Sequence, residues 1–394
     1  MTLPEIQNDL TGLGLGDNLG LATLIYLAAA VRATPYKMSV IVEGASGTGK
    51  SFLVKTVLGI FPPQAIITLS RITVAAFVRQ SDLRNSVLYV QEKFKDNNLD
   101  QLMRELLSEG EIIYSLADQE IRLQGPTTLI DTTTDSIITG KENRTRSFIA
   151  KINRSEAAQA SIFEKQKERR TLEGLLAQSR ESFIYEKHRQ FQEGLDSQLR
   201  VVMPFARRIN FFSPSRHAPR TFERILNLIS AIAYLNQKRK TVHEENGTRF
   251  IEADEQDFLQ AKEMLISLEV EEDEAALPGE TIEFFKLLKA HRNALRQHDY
   301  FSRYDVLACL EKGKQGRTYK AIKKNMNSLR ELGIIEELPV RGGKNCIRYR
   351  FPDDFMGCGL DKVEINCYAA LSLTADCQDF GQGKAIVSKA FNGK

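Results

Sequence analysis

Residues Gly44 to Ser51 read GASGTGKS, and the chain is best read outward from them. The stretch fits G-x-x-x-x-G-K-[ST] in full. It follows an apolar run, Met38-Ser-Val-Ile-Val42, and leads into Phe52-Leu-Val-Lys-Thr-Val57, which has helical character. Strand, glycine loop and helix in that order make a phosphate-binding context. Glycines let the backbone wrap an anion, and successive N–H groups point into the concavity. The helix N-terminus adds its dipole. Gly44, Ser46, Gly47, Thr48 and Gly49 would form the cradle. Lys50 would reach the β- and γ-phosphates of ATP, and the Ser51 hydroxyl would ligate Mg²⁺.

Strands and helices alternate on both sides of this loop. Residues 17–33 read as a helix leading into the first strand. Ala65 to Leu69 and Ser86 to Val90 are short apolar strands, and Asp100 to Ser108 is helical with Leu102, Leu106 and Leu107 on one face. Glu111 to Leu123 reads as a β-hairpin turning at Ala117-Asp-Gln119, and Thr127 to Asp131 as another strand. The order predicts an α/β fold with a parallel sheet and flanking helices. Val87-Leu-Tyr-Val90 ends at Gln91-Glu92, where a phosphate-loop ATPase usually carries Asp-Glu. Glu92 is therefore the candidate that orients the attacking water. Gln91 can hydrogen-bond a metal-bound water but adds no charge.

Composition narrows the class. The 394 residues suffice for two or three domains, and 42% hydrophobic with 27% charged residues is ordinary for a globular protein. Lys and Arg number 54 against 51 Asp and Glu, a net charge of only +3, so nucleic-acid binding has to be argued from a local patch. The longest apolar run, Leu21 to Val31, is too short to span a bilayer. The first residues, MTLPEIQNDL, show no basic segment ahead of an apolar core. A cytoplasmic protein without membrane association is expected. All five cysteines, Cys309, Cys346, Cys358, Cys367 and Cys377, lie in the last quarter without a C-x-x-C pair, which argues against zinc.

Residues 151–200 are rich in Glu, Lys, Arg and Gln, with Ile162, Phe163, Leu172, Leu175, Leu176 and Phe183 at helical spacing, as in a long solvated helical region. Amphipathic helices follow at 219–238 and 252–270. Helices at Arg303–Leu310 and about Thr318–Leu332, then strands Ile334–Val340 and Asn345–Phe351 around Gly342-Gly343, outline a winged helix. Between Tyr300 and Phe351 twelve basic residues face five acidic ones, an excess of seven. Lys320, Lys323 and Lys324 lie on the second helix, and Arg341 and Lys344 flank the wing tip. Such a patch suits phosphate contacts on DNA, although a winged helix also serves as a protein-docking module. Residues 352–394 show no clear periodicity.

The order of phosphate loop, strand ending in Glu, helix, hairpin, strand and Arg-bearing segment resembles the AAA+ ATPases with a hairpin before the sensor-1 strand. That group includes the minichromosome-maintenance helicases. The stretch LLSEGEIIYSLADQEIRLQGPTTLIDTTTD is especially similar. It also resembles the helicase-like ATPase module of primase-type replication proteins of phages and mobile elements. The likeness spans roughly residues 17–270. Beyond it, the residue patterns above give a winged-helix domain at 281–351 and a tail at 352–394, while the likeness itself implies an AAA+ core at 1–150 and a helical region and lid at 151–280. It also implies Thr133 or Thr134 as the polar sensor of the γ-phosphate. Arg146, with Arg144 as its competitor, matches the arginine finger supplied by a neighbouring subunit. Arg220 matches the sensor-2 arginine of the lid. Two features depart from the group: Gln91 replaces an acid, and the hairpin tip lacks Lys or Arg, with Arg122 in the return strand as a substitute.

The expectation is an ATP-hydrolysing AAA+ motor with Mg²⁺, acting on DNA as a hexameric ring in replication of a phage, plasmid or mobile element. A primase or another replication protein would be a separate partner. The alternative is an ATP-dependent switch or assembly factor that recruits a partner without unwinding DNA. A small-molecule kinase would leave the hairpin, the Arg-bearing segment and the basic C-terminal unit unexplained.

Overall fold

The computed structural model shows an α/β protein. The structure describes residues 1–70, 74–78, 83–91, 97–115, 120–125, 128–134, 145–152, 155–211, 217–268, 284, 287–288, 291, 295, 300–312, 319–331, 335–338, 347–350 and 371–373. The N-terminal part holds seven strands in chain order: β1 (Met38–Glu43), β2 (Ile66–Leu69), β3 (Val87–Val90), β4 (Glu111–Ser115), β5 (Glu120–Gln124), β6 (Thr128–Thr133) and β7 (Phe148–Lys151). Five of them form a parallel sheet in the order β2-β3-β6-β1-β7, while β4 and β5 pair as an antiparallel hairpin outside it. The helices of this part are α1 (Leu3–Leu10), α2 (Leu19–Ala30), α3 (Lys50–Gly59), α4 (Val74–Val78) and α5 (Asn97–Glu109).

Side chains alternate across the sheet, and the two faces collect two different apolar clusters. Val40, Val42, Val87, Tyr89, Ile130, Phe148 and Ala150 join α1, α2, α3 and the later helices Ala218–Leu235 and Glu255–Ser267. Leu88, Val90 and Leu129 join Phe77 and Val78 of α4, Leu99, Met103 and Leu106 of α5, and Ile112 and Leu123 of the hairpin. Every residue of β1, β3 and β6 is buried, as strands covered on both faces must be. α2 is apolar all round because it lies inside this structure: all of Leu21 to Ala30 is buried. Together, Leu3–Ala30 is long and apolar enough to cross a membrane, its most apolar 18-residue window having a mean hydropathy of 1.4, yet 67% of that window is already buried within the protein.

Local chemistry sets several boundaries. α1, not expected from the sequence, begins with a capping box. The Glu5 N–H donates to Thr2 Oγ1 at 3.4 Å, and the Thr2 N–H donates to Glu5 Oε2 at 2.6 Å. The helix expected at 17–33 starts at Leu19, after a 3₁₀ turn at Gly16–Asn18. β6 runs to Thr133, two residues past the expected end, because its carbonyl there accepts the Gly44 N–H at 3.2 Å. β7, also not anticipated, completes the sheet beside β1.

The region expected to be helical holds Glu156–Glu168 and Leu172–Glu193. Its apolar residues Phe163, Leu172, Leu175, Leu176 and Phe183 are exposed. The C-terminal half of the longer helix instead turns a polar face inward. Tyr26 Oη and His188 Nδ1 are 2.9 Å apart, Gln192 Nε2 donates to Tyr26 Oη at 3.0 Å, and Lys187 Nζ donates to Asp9 Oδ2 at 2.6 Å. His188 Nε2 lies 3.1 Å from the same Asp9 oxygen. Burial pushes the His188 imidazole down to about 4, so it is neutral at pH 7. Arg189 Nη2 donates to the Gly59 carbonyl at 3.2 Å and ties this helix to the end of α3.

A small sheet of Arg200–Val202, Thr248–Glu252 and His243–Glu245 lies downstream, its hairpin turning through Asn246 and Gly247, both at positive φ. The C-terminal unit has helices Arg303–Lys312 and Tyr319–Glu331 and a three-stranded sheet of Phe301–Ser302, Arg348–Arg350 and Glu336–Leu338. The first of these strands was not expected. Phe284, Leu288, Leu295, Val306, Ile322, Met326 and Tyr349 belong to an apolar cluster of its own. Within the stretch from 352 onward, Leu371 is buried in the large N-terminal cluster, and Ser372–Leu373 pairs with Ile209–Asn210.

Candidate functional site

The carboxyl ends of β1 and β6 lie side by side, in register from Met38 opposite Thr128 to Glu43 opposite Thr133. Open parallel sheets bind ligands at this edge. From Glu43 the chain enters the Gly44–Gly49 loop and then α3. Gly47 and Gly49 have φ of +78° and +87°, left-handed values that favour glycine. Gly49 is the residue before α3, no side chain caps that helix, and its first turn carries no acid. The first N–H groups of α3 are therefore turned toward the loop without a side-chain acceptor, in the geometry of an anion site.

Lys50 is buried and folds back over the loop. Its Nζ donates to the Gly44 carbonyl at 2.6 Å and to the Ala45 carbonyl at 2.8 Å. Thr48 Oγ1 donates to the Ala45 carbonyl at 2.8 Å. The loop thus holds its curve with its own polar groups and keeps one cation at its centre. A cavity of about 340 Å³ opens here, lined by Ser46 to Phe52 on one side and Thr132, Thr133 and Thr134 on the other. That volume falls in the range of small-ligand sites. Thr133, the last residue of β6, and Thr134, just past it, are the residues expected as sensors, and both line this cavity.

Phe52 is 45% exposed at this cavity, and the Arg169 guanidinium sits 5.1 Å from its ring centroid. The connection between the two helices of residues 156–193 is therefore placed beside the cavity. Gln91 is half-buried, its N–H donating to the Leu69 carbonyl at 2.7 Å. Glu92 lies outside the described residues, as do Arg144, the hairpin tip and the wing-tip residues Arg341 and Lys344.

Arg146 and Arg220 are not among the described residues lining the cavity. Both lie elsewhere, Arg146 just before β7 and Arg220 against Thr145. Arg146 Nε donates to Ser108 Oγ of α5 at 3.1 Å, and Arg220 Nη1 donates to Thr145 Oγ1 at 2.9 Å. Arg220 is the third residue of the helix Ala218–Leu235 and is exposed. One turn on, Arg224 is buried, donates to the Ser147 carbonyl and lies 5.5 Å from the Phe148 ring centroid. Arg122 of the hairpin faces Glu111 at 3.7 Å across the two strands.

Two residues were missed in the sequence, Thr132 in the cavity lining and Tyr89 buried behind it. Thr132 sits one position before the expected sensors, and strand alternation turns it to the α2–α3 face with Ile130. Tyr89 of β3 is 1% exposed, and its hydroxyl faces the side chains of Thr132 and Ser51. Burial pushes that phenol up, and the two neighbouring hydroxyls act in the opposite sense. The register, Tyr89 opposite Ile130, is the signal that would have put it on the loop side of the sheet. Asp131, next to Thr132, is a further acid buried within the sheet.

On the C-terminal unit, Lys320, Lys323 and Lys324 are all exposed on one helix. Tyr304 and Tyr319 stand beside them with ring centroids 5.2 Å apart. Arg303, Arg330 and Arg348 are used internally, against Asn327, Glu337 and the Tyr300 ring respectively. Among the described residues, no group of three or more His, Cys, Asp or Glu side chains could hold a metal ion. No protein-family model matches the chain, and no curated protein matches it significantly.

Proposed function

We propose that the cavity at the carboxyl ends of β1 and β6 binds ATP with Mg²⁺, and that the protein is an ATPase of the AAA+ type acting on DNA. The observation that carries this reading is the convergence on one cavity of an uncapped helix N-terminus, two left-handed glycines, a buried lysine and Thr132, Thr133 and Thr134. Backbone N–H groups of Gly47 to Ser51 would hold the β-phosphate, and Lys50 would exchange its loop carbonyls for phosphate oxygens. Mg²⁺, when bound through Ser51, supplies Lewis-acid neutralisation of phosphate charge. Thr133 and Thr134 would donate hydrogen bonds at the γ-phosphate end, and Glu92 would orient the water. Arg146 would complete the site of a neighbouring copy in a ring, with Arg220 on the lid helix Ala218–Leu235.

The basic helix Tyr319–Glu331 with its adjoining three-stranded sheet supports a winged helix that contacts DNA phosphates. Replication of a phage, plasmid or mobile element, in the cytoplasm and alongside a primase or similar partner, is the setting that suits this combination. A switch or assembly factor is the competing reading, favoured by Gln91, which puts no charge at the end of β3. The two separate on one assay. A helicase hydrolyses ATP faster in the presence of forked DNA and unwinds it, and Lys50→Ala loses both activities. Hydrolysis indifferent to DNA, with no unwinding, identifies the switch.

A further inference from the structure

A buried hydroxyl with no hydrogen-bond partner costs about 1–3 kcal/mol, and proteins keep few of them. Tyr89 Oη is one: fully enclosed, and without any partner that meets hydrogen-bond geometry. It lies on β3, next to the central strand β6, on the face that carries α3, and is aimed at Ser51 and Thr132. Both of those residues line the cavity. The orphan is therefore placed directly beneath the candidate site.

The chemistry of a serine that ligates a cation explains why it is there. Ser51 must present a lone pair to the metal, so its hydrogen has to point away from it, to an acceptor within the protein. A carboxylate at the end of β3 would serve, but Gln91 stands there and brings no charge. A phenol can accept one hydrogen bond and donate another. We infer that Tyr89 is a positioning residue for the cation: its oxygen accepts a hydrogen bond from the Ser51 hydroxyl when Mg²⁺ is bound, and its own O–H then donates to Thr132 Oγ1. No proton changes hands: Ser51 donates a hydrogen bond to Tyr89, and Tyr89 donates one to Thr132, a chain that couples the loop to β6 with the phenol in the place of an acid. The inference rests on the ATP-site reading above.

The experiment compares AMP-PNP binding by calorimetry to the full-length wild type, Tyr89→Phe, Ser51→Ala and the double variant, with excess Mg²⁺ and with EDTA. In Tyr89→Phe the gain in affinity that Mg²⁺ confers falls about tenfold, the usual effect of removing a group that orients a metal ligand. Affinity in EDTA is unchanged. The double variant is no weaker than Ser51→Ala alone, because Tyr89 acts through Ser51. The ligand-free melting temperature is equal or higher, since an orphan hydroxyl has been removed. An unchanged Mg²⁺ gain, an equal loss in EDTA, or a lowered ligand-free melting temperature overturns the proposal. If the wild type binds AMP-PNP under neither condition, the ATP-site reading itself has failed, and the hydrogen-bond chain falls with it.

Discussion

The carboxyl edge of the sheet and the helix Tyr319–Glu331 present their functional candidates in opposite ways. At the sheet edge Lys50, Thr132 and Thr133 are buried, hydrogen-bonded or packed, and held by strands whose every residue is inside. On the C-terminal helix Lys320, Lys323 and Lys324 are exposed. The first arrangement fixes atoms relative to one another, as phosphoryl chemistry requires. The second fixes little but a local excess of charge, as sequence-tolerant binding to a polyanion requires. Mutations should therefore act through geometry and stability in one region, and through salt-dependent affinity in the other.

The largest effect is expected where the site and the core are the same structure. Ile130→Ala removes a fully buried side chain between Tyr89 and α2, and should lower unfolding free energy by about 2–5 kcal/mol in a urea titration. Nucleotide binding should weaken with it, because Thr132 and Thr133 hang on the same strand. A loss below about 0.5 kcal/mol would show that the sheet edge is not the rigid region it is taken for.

A smaller effect probes the buried polar face of the long helix. The His188 imidazole is pushed by burial from 6.5 to about 4 in the folded state. Between those pH values the unfolded chain binds more protons than the folded one, so stability is full above about pH 6.5 and falls as the pH drops toward 4. The loss should reach about 3 kcal/mol. It should be read as the difference in pH dependence between wild type and His188→Gln. Parallel pH profiles would contradict it.

The smallest effect on stability, within about 0.5 kcal/mol, is expected for Lys320→Ala, Lys323→Ala and Lys324→Ala combined. Here the readout is DNA affinity against salt. The slope of log K on log salt should become shallower by about 0.9 for each DNA phosphate that these lysines neutralise, with AMP-PNP binding unaffected. An unchanged slope would remove the proposed DNA contact and leave this helix a candidate docking surface.

How much of this was legible beforehand follows the range of the interactions involved. The loop, β1, α3, β3, the hairpin and the C-terminal helix pair are written in local signals: glycine spacing, apolar runs and helical periodicity. β7 was hidden because Phe148–Lys151 is four residues long and finds its partner, β1, more than a hundred residues back. Phe301–Ser302 and Ser372–Leu373 are only two residues each, and non-local pairing alone defines them. The Asn246-Gly247 turn is a local hairpin signal, a pair suited to positive φ. Tyr89 reads as core in an apolar strand, and only sheet register reveals that its hydroxyl faces the loop. Arg146 and Arg220 were named as separate parts of a shared site; their partners, Ser108 and Thr145 respectively, could be seen only in the folded chain.

The central claim is that the Gly44–Ser51 loop and the Thr132–Thr134 edge together form an ATP site. Calorimetric titration of AMP-PNP with Mg²⁺ into wild type and Lys50→Ala tests it most directly. The account predicts saturable binding to the wild type, and a loss of more than about tenfold in affinity when the buried cation is removed, from a charge-assisted contact worth at least about 1.5 kcal/mol. Equal binding by both proteins, or none by the wild type, would contradict it.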